Sequence, residues 1–591
     1  MIFDSLKATW ILVSFALAFL WYPTRIFTPR QIRPLALRIG GNGARMALAA
    51  TIAVVLLTTL KALTAITLIF LFVLGLMVAW LRSHGWAFRK AMQGAQGTVL
   101  HLLRSVEAQS FGSRLLSIRS RSSAPPSPWR QHPRQWAQFL ERRELPVACF
   151  IVVLLMTCAL RSSVALRELR FDQPEQYGSL LHAREALLNL NPGGRPFVFP
   201  ALIATTSLIS GVDPMQVTRF LAPIIGIFFV VAAGLLVRTC TRSAAAGLAT
   251  MYCLGASAFP PVRHAPVVAT SVAQKLYGIF WASSPAATRA STELELGLGF
   301  LLLGLALLAD LYRNSGTDSL LDLACCVLLV GIISPFLLLI LVIAGTALLF
   351  RPALTLPALF LSCYGLAAYS TLTIGDAFAN QAFNILPLAA ALGVGGLIGL
   401  IATVLRHGTG ANAEAVLLIA CLVVAVVWLP PSQPFEQPLE YESAARKTEE
   451  IAFEFPRQKW LVAAPVEQLS ETFGYGGYED LAGFVDKYRD QVSAPEFRFR
   501  DAPQDLFIYV EKTPFQIFSE EPASVSFGVL MDSTYRSYRS PAGRASLESA
   551  ALQMCESYRE HHSDADVYFE DDNLRIYHIH RQTPLSAEDK N

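Results

Sequence analysis

Long apolar runs recur along most of this chain, and they constrain its fold more than any other feature. A helix of about 20 apolar residues crosses the hydrocarbon core of a bilayer with its backbone hydrogen bonds satisfied internally. Twelve candidate spans follow, at 8–22, 46–60, 63–81, 147–165, 216–237, 244–259, 292–311, 320–333, 336–350, 353–371, 384–404 and 411–429. Several are shorter than about 20 residues, so the expected number lies between about 11 and 13. With 53% hydrophobic and 16% charged residues, a string of water-soluble domains is excluded for most of the 591 positions. The predicted fold is a polytopic α-helical membrane protein with a C-terminal soluble α/β domain.

Charge divides the chain in two. Residues 430–591 hold 16 Lys/Arg against 29 Asp/Glu, whereas residues 1–429 hold 32 against 16. A basic membrane body therefore precedes an acidic tail. Lys and Arg in short loops mark the cytoplasmic side. Residues 23–45 carry Arg25, Arg30, Arg33, Arg38 and Arg45 without an acid, and residues 82–146 carry eleven Lys/Arg against Glu107, Glu141 and Glu144. Both are expected inside. The predicted organisation is 1–81 as accessory membrane helices, 82–146 as a basic cytoplasmic loop, 147–429 as the membrane core and 430–591 as the tail, with 430–445 as a linker. The first 22 residues are read as a retained span, since no small-residue cleavage site follows Leu20–Tyr22.

Residues 320–350 are too long for one span and too short for two ordinary ones. Breaking them at Ser334-Pro335 keeps Arg351 and Arg406-His407 on the cytoplasmic side, and one uninterrupted helix would move both outside. With the break, the loop 166–215, the stretch 260–290, the loop 372–383 and the tail all face outward. The expected location is the plasma (inner) membrane, with an extracytoplasmic C-terminal domain.

The loop 166–215 is the richest in polar pattern. Asp172 precedes Pro174 and a helical stretch from Glu175 to Leu190, which suits an N-cap. Leu180, Leu181, Leu187 and Leu188 fall near one helix face, as expected for a helix lying on the bilayer surface. A second short apolar helix begins in Arg195-Pro-Phe-Val-Phe-Pro200, and Gly211-Val-Asp213-Pro214 leads a span with Arg219 at its edge. Asp172 reads equally as a cap or as a carboxylate just above the bilayer that serves as general base towards a hydroxyl. Spacing alone does not separate the two.

The order of these features resembles the C-type glycosyltransferase (GT-C) superfamily, which includes protein mannosyltransferases and aminoarabinose transferases. The matching run is 166–242: an early Asp, Tyr177-x-x-Leu-Leu-x-Ala-Arg184, Asn191-Pro192, a Pro-flanked apolar helix and Gly211-x-Asp-Pro-x-x-x-x-Arg219. The resemblance implies transfer of a sugar from a polyprenyl-phosphate-linked donor to a glycan, lipid or protein acceptor at the outer face, with Asp172 as base. Glu175, Tyr177, His182 and Arg219 are candidate substrate contacts, with a structural or solvated histidine the more ordinary reading of His182. Some relatives use a divalent metal, for which the sequence shows no clear ligand cluster.

The stretch 260–295 carries Arg263, His264, Lys275, Arg289, Glu293 and Glu295 around Tyr277, Phe280 and Trp281. Arg263, Lys275 and Arg289 are candidates to hold a donor phosphate, against interfacial anchoring beside an aromatic belt. Glu293 sits four residues from Arg289, at pairing distance on a helix. Asp376 and Asn380 are further sugar contacts or caps. No P-loop, GxSxG, HExxH or dinucleotide motif occurs, and Gly395–Gly399 is read as a close helix-packing motif. Nothing argues for nucleic acid, and the basic loop suits contact with membrane lipids. The span interiors look nearly charge-free, which speaks against a transporter; a non-catalytic envelope scaffold stays as the alternative to the transferase.

In the tail, strands are predicted at Trp460–Ala464, Leu506–Glu511, Val567–Glu570 and Leu574–His580, and helices near Tyr478–Arg489 and Pro541–His561. Alternation puts His578 and His580 on one strand face. With Glu570, Asp571 and Asp572 close in sequence they suggest metal ligation, though a polar strand face is the more ordinary reading. Eight of the nine cysteines lie in or beside apolar segments, and Cys555 alone in the tail precludes an internal disulfide there.

Overall fold

The apolar runs form helices because each satisfies its own backbone polar groups while presenting side chains on every side. A computed structural model describes residues 2–27, 35–83, 144–171, 174–190, 198–255, 292–314, 317–350, 354–372, 376–409, 412–427, 440–465, 467–494, 496–499, 504–513 and 541–580. In the N-terminal part, α1 (Ile2–Phe15) continues through a π-helical turn (Ala16–Trp21) into α2 (Tyr22–Ile26), followed by α3 (Leu35–Thr59) and α4 (Ala65–Ser83). Then come α5 (Glu144–Arg167), α6 (Pro174–Leu187), α7 (Val198–Ser210), α8 (Pro214–Thr241) and α9 (Ala244–Gly255). The body closes with α10 (Thr292–Asn314), α11 (Thr317–Ile333), α12 (Pro335–Phe350), α13 (Thr355–Leu372), α14 (Asp376–Thr409) and α15 (Asn412–Val427).

Six helical stretches among the described residues are long and apolar enough to cross a membrane: Asp4–Thr24, Ala36–Thr59, Leu145–Ser163, Pro214–Thr241, Thr292–Tyr312 and Leu388–Arg406. Shorter apolar helices pack around them. The exterior of the body carries exposed Ile66, Phe70, Leu155, Leu397 and Val416. A surface of that kind suits lipid better than water.

Close contacts give the helix directions. Gly297 of α10 lies against Ile333 and Leu337, Gly304 against Leu323, Cys326 and Leu341, and Gly345 against Leu308. Hence α11 runs antiparallel to α10, α12 runs parallel to it, and the chain turns back at Ser334. The break expected at Ser334-Pro335 is present. Gly395 and Gly399 of α14 press against Thr250, Val237 and Thr241, the close packing expected of GxxxG.

The structure extends or revises several expectations. Residues 35–45 are helical rather than loop, and Arg45 is paired with buried Asp322 of α11. Small residues explain the extension, because Gly40 and Gly41 let α3 approach Leu303 and Asp322. Residues 376–383, expected in a loop, belong to α14. Span interiors are not charge-free, since Arg45–Asp322 and Arg161–Glu295 are ion pairs inside the helical body.

The tail begins with α16 (Glu442–Glu454), then β1 (Trp460–Ala464), α17 (Glu467–Thr472), β2 (Gly477–Asp480), α18 (Leu481–Tyr488) and β3 (Asp505–Glu511), and ends with α19 (Pro541–His561), β4 (Ala565–Glu570) and β5 (Leu574–His580). The sheet order is β2-β1-β3-β5-β4, with β1 parallel to β2 and β3, and β5 antiparallel to β3 and β4. Leu506, Ile508, Val510, Tyr577 and Ile579 face Phe484, Tyr488, Met554 and Tyr558 of α18 and α19. Trp460, Val462, Phe507, Tyr509 and Ile576 form the opposite core with Ala444 and Ile451 of α16. Alternation along β3 and β5 thus feeds two cores, one on each face. The predicted strands and the helix Pro541–His561 are present, while Tyr478–Asp480 is strand rather than helix. The described part of the expected linker, residues 440–445, is folded, with Glu440, Ala444 and Ala445 buried.

Candidate functional site

Polar side chains converge where the sheet domain meets the helical body. Asp213 caps α8 by accepting the Met215 N–H at 2.8 Å, as Asp before Pro at a helix start is suited to do. The same carboxylate takes Arg184 of α6 at 3.2 Å and the phenol of Tyr475 from the sheet domain. The Arg184 guanidinium also donates to the carbonyls of Glu471 and Phe473 and stacks over the Tyr475 ring at 4.8 Å. Burial, then the Asp213 carboxylate, push Tyr475 up to about 12.

Beside this cluster, Tyr177 donates to Glu440, whose second oxygen accepts from Gln468 at 2.5 Å. Glu440 and Glu471 are both buried, and the two carboxyls are near enough for each to oppose ionisation of the other. Burial and the neighbouring Glu471 push Glu440 well above the usual carboxylate range, and burial with both acids raises the Tyr177 phenol. Glu442, at the start of α16, accepts the N–H groups of Leu169 and Arg170 just after α5.

Further into the body, Arg161 of α5 pairs with Glu295 of α10 at 2.6 Å, facing Gly226 of α8. Gln176 donates to Thr292 at 2.9 Å. Arg219 donates to the Ala165 carbonyl at 2.5 Å and to Gln216 at 3.1 Å, and lies 3.9 Å from Asp4. Gln216 in turn donates to Glu449 of α16 at 2.8 Å, and Lys7 stands 3.9 Å from the same carboxylate.

The sequence-predicted site residues divide into three groups. Asp172, Arg263, Lys275 and Arg289 lie outside the described residues, and Glu175 is placed only as part of α6. Tyr177 and Arg219 are buried in the junction, and His182 bonds Glu185 at 2.9 Å. Glu293 is half-buried in the first turn of α10. The helix expected to lie on a bilayer surface, α6, packs on protein along one side: Tyr177, Leu180, Ala183 and Ala186 are buried against α3, α7 and α17, while Leu188 just past its end is exposed. Its Leu pattern alone could not reveal a cover arriving from residues 467–472.

Arg161, Arg184 and Glu440 were missed as site residues. A lone arginine inside an apolar span was the signal for Arg161, and Arg184 stood in the Tyr-x-x-Leu-Leu-x-Ala-Arg run without a role. Glu440 had no local signal. In the sheet domain, the acid that joins His578 and His580 is Asp505; Glu570 bonds Arg575 and Lys512 instead. No protein-family model matches the chain, and no curated protein matches it in sequence.

Proposed function

We propose that the chain is an integral-membrane glycosyltransferase of the GT-C kind, moving a sugar from a polyprenyl-phosphate-linked donor to an envelope glycan, lipid or protein acceptor. The observation that carries this reading is the sorting of the chain between the two ends of the helical body. At one end lie Lys7, Asn189, Asp213, Thr292, the loop helices α6 and α7, and the sheet domain. At the other lie Arg242, Arg406 and Glu414, where Arg406 donates to the Arg242 carbonyl at 2.8 Å and Glu414 takes the Ala244 N–H at 2.7 Å. The ends of α4 and α5 that flank the basic segment belong there too, since Tyr22 donates to Phe72 of α4 at 2.6 Å while the opposite end of α5 meets Glu442.

Positive-inside placement then makes the sheet-domain end extracytoplasmic. About twelve spans result, counting the shorter helices together with the long ones. In the transfer step Asp172 takes the proton of the acceptor hydroxyl, whose oxygen bonds the anomeric carbon as the bond to the donor phosphate breaks. The sugar inverts and the lipid phosphate leaves, its charge balanced by Arg263, Lys275 or Arg289.

Native mass spectrometry of the detergent-purified protein tests the reading. Polyprenyl phosphate or its glycosylated form should co-purify, be lost in Arg289→Ala and be retained in Asp172→Asn, with transfer abolished in the latter. Only bulk phospholipid in repeated preparations would favour the second reading, a non-catalytic scaffold. That alternative has its own support, because Tyr177 and Arg184 of the loop helix are committed to holding the sheet domain.

A further inference from the structure

We infer that the sheet domain binds one divalent transition-metal ion, Zn2+ in particular, through Asp505, His578 and His580. This does not rest on the transferase reading. Asp505 opens β3 and pairs in register with His580 of the antiparallel β5, and Phe507 pairs with His578. All four side chains therefore share the face covered by α16. The His578 Nε2 atom lies 2.9 Å from Asp505 Oδ1 and the His580 Nδ1 atom 2.6 Å from the same oxygen. One ligand atom from each residue falls within 4.8 Å of the others.

Two nitrogens aimed at a single buried carboxylate oxygen make a three-ligand set of the kind zinc accepts. Across a tetrahedral zinc the nitrogen and oxygen ligands stand about 3.3 Å apart, given bonds near 2.0–2.1 Å. Opening the two contacts by less than about 1 Å would admit the ion.

A second observation points the same way. The other ring nitrogen of His578, Nδ1, faces Asp566 Oδ1 at 3.4 Å. With Nε2 on a metal, Nδ1–H is free to point at Asp566, the carboxylate–histidine–metal arrangement that fixes ring orientation and raises ligand basicity. The ring is already held in place: Phe507 stacks on it at 4.7 Å and 9°, and Phe455 meets it edge-on at 5.6 Å. His580 is 56% exposed, which leaves a solvent-side approach for the ion and a water as fourth ligand. The ion would tie β3 to β5 and, through Asp566, to β4.

The test uses the full chain in detergent, purified without a histidine tag, stripped with chelator and titrated with Zn2+ by calorimetry, with bound metal counted by mass spectrometry. One zinc per chain is expected. His580→Gln, at an exposed position, should keep the melting temperature of the chelated protein and weaken binding by more than the about 10–100-fold that loss of an outer partner costs. Asp566→Asn should weaken it by about 10–100-fold. Absence of saturable binding to the wild type, or unchanged affinity in His580→Gln, overturns the inference. Asp505→Asn serves as a further variant, and unchanged affinity there would also overturn it.

Discussion

The phenol of Tyr177 in loop helix α6 donates to the carboxylate of Glu440, 263 positions later, where the sheet domain begins. The bond joins the two halves of the protein at a point from which water is excluded. Burial and the nearby Glu471 raise the Glu440 carboxyl well above its ordinary range, so the strength of the junction depends on pH.

Glu440 holds its proton well above the ordinary Glu value of 4.5, because burial and Glu471 oppose its ionisation. A carboxyl with a raised folded-state pKa contributes stability that is fully present below the unfolded value and is lost as pH rises through the folded one. The junction should therefore weaken with rising pH. Glu440→Gln keeps the acceptor for Tyr177 without a charge, and is expected to raise the melting temperature at neutral pH and flatten its pH dependence. Melting curves in detergent across the acid-to-neutral range check this; a wild-type curve that rises with pH would contradict it.

Arg184 serves two carbonyls, the Asp213 cap and the Tyr475 ring at once. Arg184→Ala should destabilise the junction by about 3 kcal/mol, leaving buried acceptors without a donor. Arg184→Lys restores charge but not the planar fork, so it should recover only part of the loss. Hydrogen exchange at Glu467–Thr472 and at α6 reads both variants; loss of protection confined to α6 would mean that Arg184 does not hold the sheet domain.

The Arg161–Glu295 pair leaves side-chain exposures of 11% and 6%. Removing one partner strands the other, so Arg161→Met and Glu295→Met should each cost about 3–5 kcal/mol, with the double replacement Arg161→Met/Glu295→Met much milder. A double-mutant cycle on thermal stability measures the coupling, and additive losses would argue against a working pair.

An alkaline phosphatase fusion after residue 429 should be active, and one placed within residues 84–143 inactive. The reverse pattern would invert the orientation on which the transferase reading depends.

Much of the helical body was legible along the chain because its signals are local. Apolar runs mark the helices, Ser334-Pro335 marks the reversal, Asp213-Pro214 marks a helix start, and period-two alternation marks β3 and β5. Local signals also placed His578 and His580 on one face. They could not choose the acid between them: Glu570, Asp571 and Asp572 are near in sequence, but Asp505 arrives through strand pairing 73 and 75 positions away. Arg45 read as a loop cation because its partner Asp322 lies 277 positions on. Tyr177 read as substrate-facing, and Arg184 had no role, because nothing nearby in the chain announces that α17 covers them. Composition and periodicity determine which segments are helix, strand or apolar surface, since those depend on neighbours within a few residues. Which charges meet, and which polar groups are withdrawn from water, was decided only by packing, because desolvation is a property of the assembled neighbourhood.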